Sequence, residues 1–268
     1  MLRIMQLPVH DHPPDSAAQR AADWRRFRRA AGVSAAFVAV LAVVYAAQSG
    51  FDARLFAVAP GSLSGLWGLL TAPLLHGSPE HIVANGAAVL FLGTLAGWVY
   101  PRASLRGLPL MWLGSGLGAW ALGAPGSYHL GASGVTHGLM FLVMALAVIR
   151  RDRAAIAATM IGFLFYGGML LTVLPREPGV SWQSHLGGAI GGIVAAWLFR
   201  RLDPVAPRKR YSWEIEEDMA AAEAERAEAD REQFEPGAPE DVPVLWHRPD
   251  PAQQERGTVL PFPPRERR

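Results

Sequence analysis

Apolar and polar positions fall into long blocks along this chain instead of alternating as they would in amphipathic elements. From Ala30 to Phe51 no residue is charged. At about 1.5 Å per residue that run crosses about 30 Å of hydrocarbon, and it predicts a first membrane span. Residues 52–80 are apolar on average but broken by Pro60, Gly61, Ser62, Gly65, Pro73 and Pro79. They predict an irregular segment at the interface, tolerable in a membrane only where protein covers its backbone. His81 to Pro101 reads as a second span. The 43 uncharged residues from Gly107 to Ile149 are too many for one helix. The break Gly123-Ala-Pro-Gly-Ser-Tyr-His129 divides them into a third span, about 107–122, and a fourth, about 132–149. Ala154 to Pro175 is the fifth span and Ser181 to Phe199 the sixth.

This pattern predicts an all-α polytopic membrane protein, a bundle of six transmembrane helices over residues 30–201. It is flanked by a basic N-terminal segment, 1–29, and a polar tail, 202–268. Arginine placement orients the bundle. Five arginines lie between Arg20 and Arg29, and others follow at Arg102, Arg106, Arg150, Arg151, Arg153 and from Arg200 to Arg210. The alternate loops hold only Arg54 and Arg176. Both termini are therefore expected in the cytoplasm, and short outer loops point to a bacterial inner membrane. No cleavable leader is expected, because the first apolar run is long and lacks a small-residue cleavage site. In the tail, Glu214 to Glu235 is rich in Ala, Glu and Arg and predicts a solvated helix. Pro236 to Arg268 is proline-rich and predicts disorder.

Composition narrows the chemistry. The chain has no cysteine, which excludes disulfides, a thiolate nucleophile and cysteine-ligated zinc. Charged residues inside the spans or internal repeats, which a transporter would call for, are not found. Three polar constellations sit in the apolar region. His76-Gly-Ser-Pro-Glu-His81-Ile-Val-Ala-Asn85 places His81 and Asn85 four apart on one helical face. Gly131-Ala-Ser133-Gly134 opens the fourth span. His185-Leu-Gly-Gly188-Ala-Ile-Gly-Gly192 lies in the sixth. By the orientation above all three fall at the outer ends of their spans, at one depth, as one shared site requires. Alone, the first could be half of a metal site and the second ordinary glycine–serine packing.

A serine hydroxyl needs a neighbouring base to act as a nucleophile. The spans offer no carboxylate, and Asp52, Glu80 and Glu177 in the loops are open alternatives for a third member. The economical reading is a Ser133–His185 dyad. His81, Asn85 and the Ser133 backbone N–H are candidate oxyanion donors. Gly134 and Gly138 on the fourth span, and Gly188 and Gly192 on the sixth, are spaced for close helix approach, with Gly131 grouped with them. His137, one turn after Ser133, either stacks on His185 and couples its protonation to that of the base or merely fills space there.

The set H-x4-H-x3-N, G-x-S-G and H-x2-G-x3-G, in this order across six spans, resembles the rhomboid intramembrane serine proteases over roughly residues 30–200. The resemblance implies that Ser133 is the nucleophile, His185 the base, His81 and Asn85 oxyanion donors, and His76 a site-lining or structural histidine. It implies cleavage of transmembrane segments of other membrane proteins, reached sideways from the lipid, with no cofactor and no metal. Two positions depart from the family pattern. Trp67 is followed by Gly68 where the family often has Trp-Arg, and His137 stands where an aromatic such as tyrosine is common. A rhomboid-like pseudoprotease, binding membrane-protein clients without cutting them, is the alternative; it would be expected to lack the serine or the histidine.

Overall fold

The computed structural model describes residues 17–151, 153–203 and 212–234. The expectations for residues 1–16, 204–211 and 235–268, including the proline-rich end of the tail, lie outside the described residues. Nine α-helices are described. They are α1 (Ala17–Ala47), α2 (Gly68–Thr71), α3 (Pro79–Ala88), α4 (Thr94–Val99), α5 (Pro101–Leu122), α6 (Ser133–Arg150), α7 (Arg153–Tyr166), α8 (Trp182–Phe199) and α9 (Ser212–Phe234). A π-helical turn, Val89–Gly93, joins α3 to α4 into one continuous rod, and a 3-10 stretch, Gly167–Val173, extends α7. The bundle and α9 fall in separate compact units, divided between Lys209 and Arg210.

Four of these stretches are long and apolar enough to cross a membrane: Ala17–Gly50, Pro79–Val99, Ser133–Arg150 and Ala155–Val173. The chain is therefore a polytopic helical membrane protein. Its α5 and α8 are 22 and 18 residues long and are not among these four. Both carry glycines on the faces they turn to neighbouring helices and large apolar side chains, such as Leu117 and Ile190, on exposed faces.

Several boundaries differ from the sequence reading. The first helix starts at Ala17, well before Ala30, and carries the basic cluster from Arg20 to Arg29 in its first turns. Nothing between Ala17 and Ala47 breaks a helix, and the Ala-Arg composition favours one. The third helix starts at Pro101, six residues earlier than expected, with proline in its first turn where its missing N–H costs nothing. Its start is capped from far along the chain. The buried Asp203 carboxylate accepts the backbone N–H groups of Arg102 (3.0 Å) and Ala103 (2.9 Å). The Arg150 side chain donates to the Asp203 carbonyl at 2.8 Å and its guanidinium lies 4.9 Å from the Tyr100 ring centre.

The segment between α1 and α3 is irregular, as its prolines and glycines predict, with short 3-10 turns around α2. An isolated bridge pairs Val58 with His129 and pins this segment beside the loop that leads to Ser133.

The centre of the bundle is α8, packed between α5 and α6 at backbone distance. On one face, a Cβ at Gly188 would run into the Gly134 carbonyl oxygen and one at Gly192 into the Gly138 carbonyl. On the other, Gly187 meets the Gly114 carbonyl and Gly191 the Leu110 carbonyl. Sequence reading found the first face and missed the second. Gly131 differs from its grouping with these glycines. It precedes α6, has φ +118°, and packs against the His81 ring rather than another helix. Only glycine adopts that conformation readily.

Candidate active site

Three helix N-termini converge at one end of the bundle. Ser133 is the first residue of α6, His185 lies in the first turn of α8, and His81 and Asn85 occupy the first two turns of α3. Each start is written locally. Ser78 caps α3 by accepting the His81 N–H at 3.2 Å, with Pro79 next. Ser181 caps α8 by accepting the Ser184 N–H at 3.3 Å. Gly131, at positive φ, turns the chain so that α6 begins at Ser133, and its N–H is held by the Ala72 carbonyl at 2.9 Å.

Ser133 Oγ lies 2.9 Å from His185 Nε2. The other ring nitrogen, Nδ1, is 3.0 Å from the Thr172 backbone carbonyl. A carbonyl only accepts, so Nδ1 carries the ring proton and Nε2 presents its lone pair to the serine hydroxyl. That carbonyl is available because the 3-10 stretch ends there and the chain turns extended at Leu174, leaving it outside any helical ladder. Sequence reading missed Thr172, since a backbone acceptor leaves no mark in residue type.

His137 stacks on His185 with ring centres 3.8 Å apart and planes 13° from parallel. Its Nδ1 donates to the Ser133 carbonyl at 2.7 Å. Its Nε2 lies 2.9 Å from the Thr172 hydroxyl and 3.1 Å from the Met169 carbonyl. The same short stretch after α7 thus holds both imidazoles.

On the opposite side of Gly131, a Cβ would sit 2.7 Å from His81 Nε2 and 3.4 Å from Asn85 Nδ2. The Gly77 N–H donates to His81 Nδ1 at 3.4 Å, which leaves Nε2 as the protonated nitrogen. Asn85 is buried, and its Nδ2 has no hydrogen-bond partner among the described residues. Two N–H donors therefore flank the residues just before Ser133. His76 is 1% exposed, with its ring centre 5.1 Å from that of His81. Burial, with His81 as a lesser contributor, pushes its pKa down to about 4, so it is neutral near pH 7. Gln48 braces its backbone from α1's end, donating to the His76 carbonyl at 2.8 Å and accepting its N–H at 2.9 Å. Gln48 also escaped the sequence reading.

The loop carboxylates stand apart from this cluster. Asp52 is paired with Arg54 at 2.9 Å, which lowers its pKa, and Glu80 and Glu177 are exposed. A further histidine, His129, links the loops. Its Nδ1 is 2.6 Å from the Ser181 hydroxyl and its Nε2 2.9 Å from that of Ser127. Burial lowers its pKa too.

A serine hydroxyl hydrogen-bonded to a neutral imidazole, among membrane-length helices, defines a polytopic membrane protein with a serine–histidine site. The model of the Rhomboid domain matches residues 63–202, just over half of the 268. The chain belongs to the rhomboid family, whose members are generally intramembrane serine proteases. It is similar to an uncharacterized protein of Mycobacterium tuberculosis (strain ATCC 25618 / H37Rv), 36% identical over 178 residues covering 60% of this chain and 72% of the relative. An uncharacterized protein of Mycobacterium leprae (strain TN) is 38% identical over 141 residues, covering 50% of this chain and 56% of the relative.

Proposed function

We propose that this chain is an intramembrane serine endopeptidase that cuts transmembrane segments of other membrane proteins with a Ser133–His185 dyad. The observation that carries this reading is the 2.9 Å contact between Ser133 Oγ and His185 Nε2, with Nδ1 committed to the Thr172 carbonyl. His185 Nε2 takes the serine proton as Oγ attacks the scissile carbonyl carbon. The oxyanion forms toward Asn85 Nδ2, His81 Nε2 and the Ser133 N–H at the positive end of α6. The imidazolium then returns its proton to the leaving amine, and water, deprotonated by the same nitrogen, hydrolyses the acyl-enzyme. The Thr172 carbonyl and the stacked His137 ring hold the base in place of a carboxylate. His76 lines the site from behind His81, and no cofactor takes part.

In this reading α1, the α3–α4 rod, α5, α6, α7 and α8 are the six spans, with α5 and α8 as interior ones. Both termini and the α9 tail lie in the cytoplasm of a bacterial cell, on the arginine-rich side. Co-expression with a panel of tagged membrane proteins tests the assignment. Ser133→Ala and His185→Ala are each expected to abolish cleavage while the protein still inserts, and the double variant to lose no more. Labelling of the native chain by a fluorophosphonate, absent in Ser133→Ala, is expected alongside. A folded chain that neither labels nor cleaves any membrane protein would favour a client-binding pseudoprotease.

A further inference from the structure

From the end of the bundle remote from Ser133 a second, differently made site runs inward as far as Val135. α1 packs on the α3–α4 rod at two levels. Ser34 Oγ lies 2.7 Å from where a Cβ on Gly93 would stand, and the Ala30 methyl 3.2 Å from one on Gly97. Its contact with α5 comes deeper, where the Phe37 and Trp112 ring centres are 5.9 Å apart. Between these contacts α1 and α5 enclose a cleft of about 620 Å³, within the usual range for a small-molecule site.

The cleft has two chemistries along its length. Its depth is apolar, lined by Phe37, Val89, Val135, Leu139 and Leu108, and the exposed Val33 flanks it. Its mouth carries Arg26 and Arg29 from α1 and Arg102 from α5. Asp203 is the one carboxylate in the lining, and both its oxygens are taken up by backbone N–H groups of α5. Three guanidiniums thus face one satisfied carboxylate. Among the described residues the Arg102 guanidinium donates to the Leu202 carbonyl at 3.1 Å, and Arg26 approaches Asp23 at 3.9 Å, outside the cleft. Ser104 also lines it, 8% exposed, its hydroxyl without a hydrogen-bond partner among the described residues. A buried hydroxyl left unpaired is costly, and it signals a polar group expected from outside the protein.

The dimensions select the ligand. From Arg26 to Phe37 is eleven residues of helix, about 16 Å, close to half of a hydrocarbon core about 30 Å thick. The mouth lies at the membrane surface: Trp24 stacks on Phe27 at 5.3 Å and Phe27 meets Trp98 edge-on at 5.7 Å, an aromatic cluster typical of the interface. We propose that this cleft binds one anionic glycerophospholipid, its phosphate among Arg26, Arg29 and Arg102 and an acyl chain between α1 and α5. The site uses none of the residues of the serine–histidine cluster, so it stands or falls independently of the protease reading.

The test is native mass spectrometry of the delipidated full-length chain, titrated with phosphatidylglycerol or phosphatidylcholine. A single phosphatidylglycerol is expected to be retained in preference to phosphatidylcholine. Each arginine near a lipid surface contributes about fivefold, so Arg29→Gln with Arg102→Gln is expected to weaken phosphatidylglycerol binding about 25-fold. Arg25→Gln with Arg28→Gln, on the same helix but outside the cleft, is expected to leave it unchanged. Val33→Trp, which fills the apolar part and leaves every arginine in place, is expected to reduce binding of both lipids. Equal retention of the two lipids by the native chain, unchanged binding in the Arg29/Arg102 variant, or an equal loss in the Arg25/Arg28 control would overturn the proposal.

Discussion

The two sides of this bundle are built on different terms. Around α8, backbone meets backbone on two faces: Gly188 and Gly192 against α6, Gly187 and Gly191 against α5. Around α1, contact is made by side chains, small ones at Ala30 and Ser34 and larger ones at Phe37 and Leu41, and an open cleft lies between part of it and α5. Without a hydrophobic force between helices in lipid, close packing of small residues is a main source of cohesion. The difference teaches where geometry must be exact to fractions of an ångström. The Ser133–His185 contact spans α6 and α8, so it inherits the precision of the glycine seam. Nothing on the α1 side demands the same.

The largest expected effect breaks the tight side. Gly188→Val places a branched side chain against the Gly134 carbonyl and forces α6 and α8 apart. Overpacking of this kind costs about 1–3 kcal/mol, but on the proposed reading the loss of contact matters more. Cleavage is expected to fall to the level of Ser133→Ala in protein that still inserts. Retention of native turnover would show that the seam does not set the dyad distance. A smaller effect is expected within the site. Asn85→Ala removes one candidate oxyanion donor, which typically costs about 100- to 1,000-fold in rate. Apparent substrate binding should hardly change, and unchanged turnover would reduce Asn85 to packing.

A subtler comparison concerns His137. Its ring stacks on His185 at 3.8 Å and is surrounded by the Ser133 and Met169 carbonyls and the Thr172 hydroxyl. Two stacked imidazoles resist carrying two charges at once, so the base and its neighbour should titrate as a pair. His137→Tyr is expected to keep activity at neutral pH and to alter the acidic limb of the pH–rate profile. Superimposable profiles in the same detergent would dismiss the coupling. The smallest effect belongs to the loose side. Gly97→Ala brings a methyl to 3.2 Å from that of Ala30. A few tenths of an ångström of give between α1 and α4 accommodates it, and neither residue touches the serine–histidine cluster, so turnover should stay within about twofold. A large loss there would mean that α1 is coupled to the site after all.

The sequence made much of this legible, and the gaps have physical causes. Blocks of apolar residues broken by Gly and Pro mark helices because lipid tolerates little else. The helical class and the family follow from that and from three motifs. The placement of Ser133 beside His185 could be anticipated because glycines at a spacing of four announce close approach. What escaped was carried by backbone or by tertiary context. The Thr172 carbonyl is invisible in residue type. The Gly187–Gly191 face was obscured by the neighbouring Gly188–Gly192 pattern, and Gly131 looked like a packing glycine because its positive φ has no sequence mark of its own. α5 and α8 are missing from the stretches long and apolar enough to cross a membrane for a related reason: the faces they turn to other helices carry glycine instead of aliphatic bulk.

Asp203 fastens the start of α5 from about a hundred residues downstream, and α8 lies directly before it. That order bears on biogenesis. α5 and α6 leave the ribosome first and must wait, with their glycine faces unpaired, for α8 to arrive between them. Until it does, the Ser133 hydroxyl lacks the His185 imidazole and the cap on α5 is missing. On the proposed reading, an unfinished chain is therefore a harmless one: proteolytic power is switched on by the closing segment, and only when the whole bundle is in the bilayer.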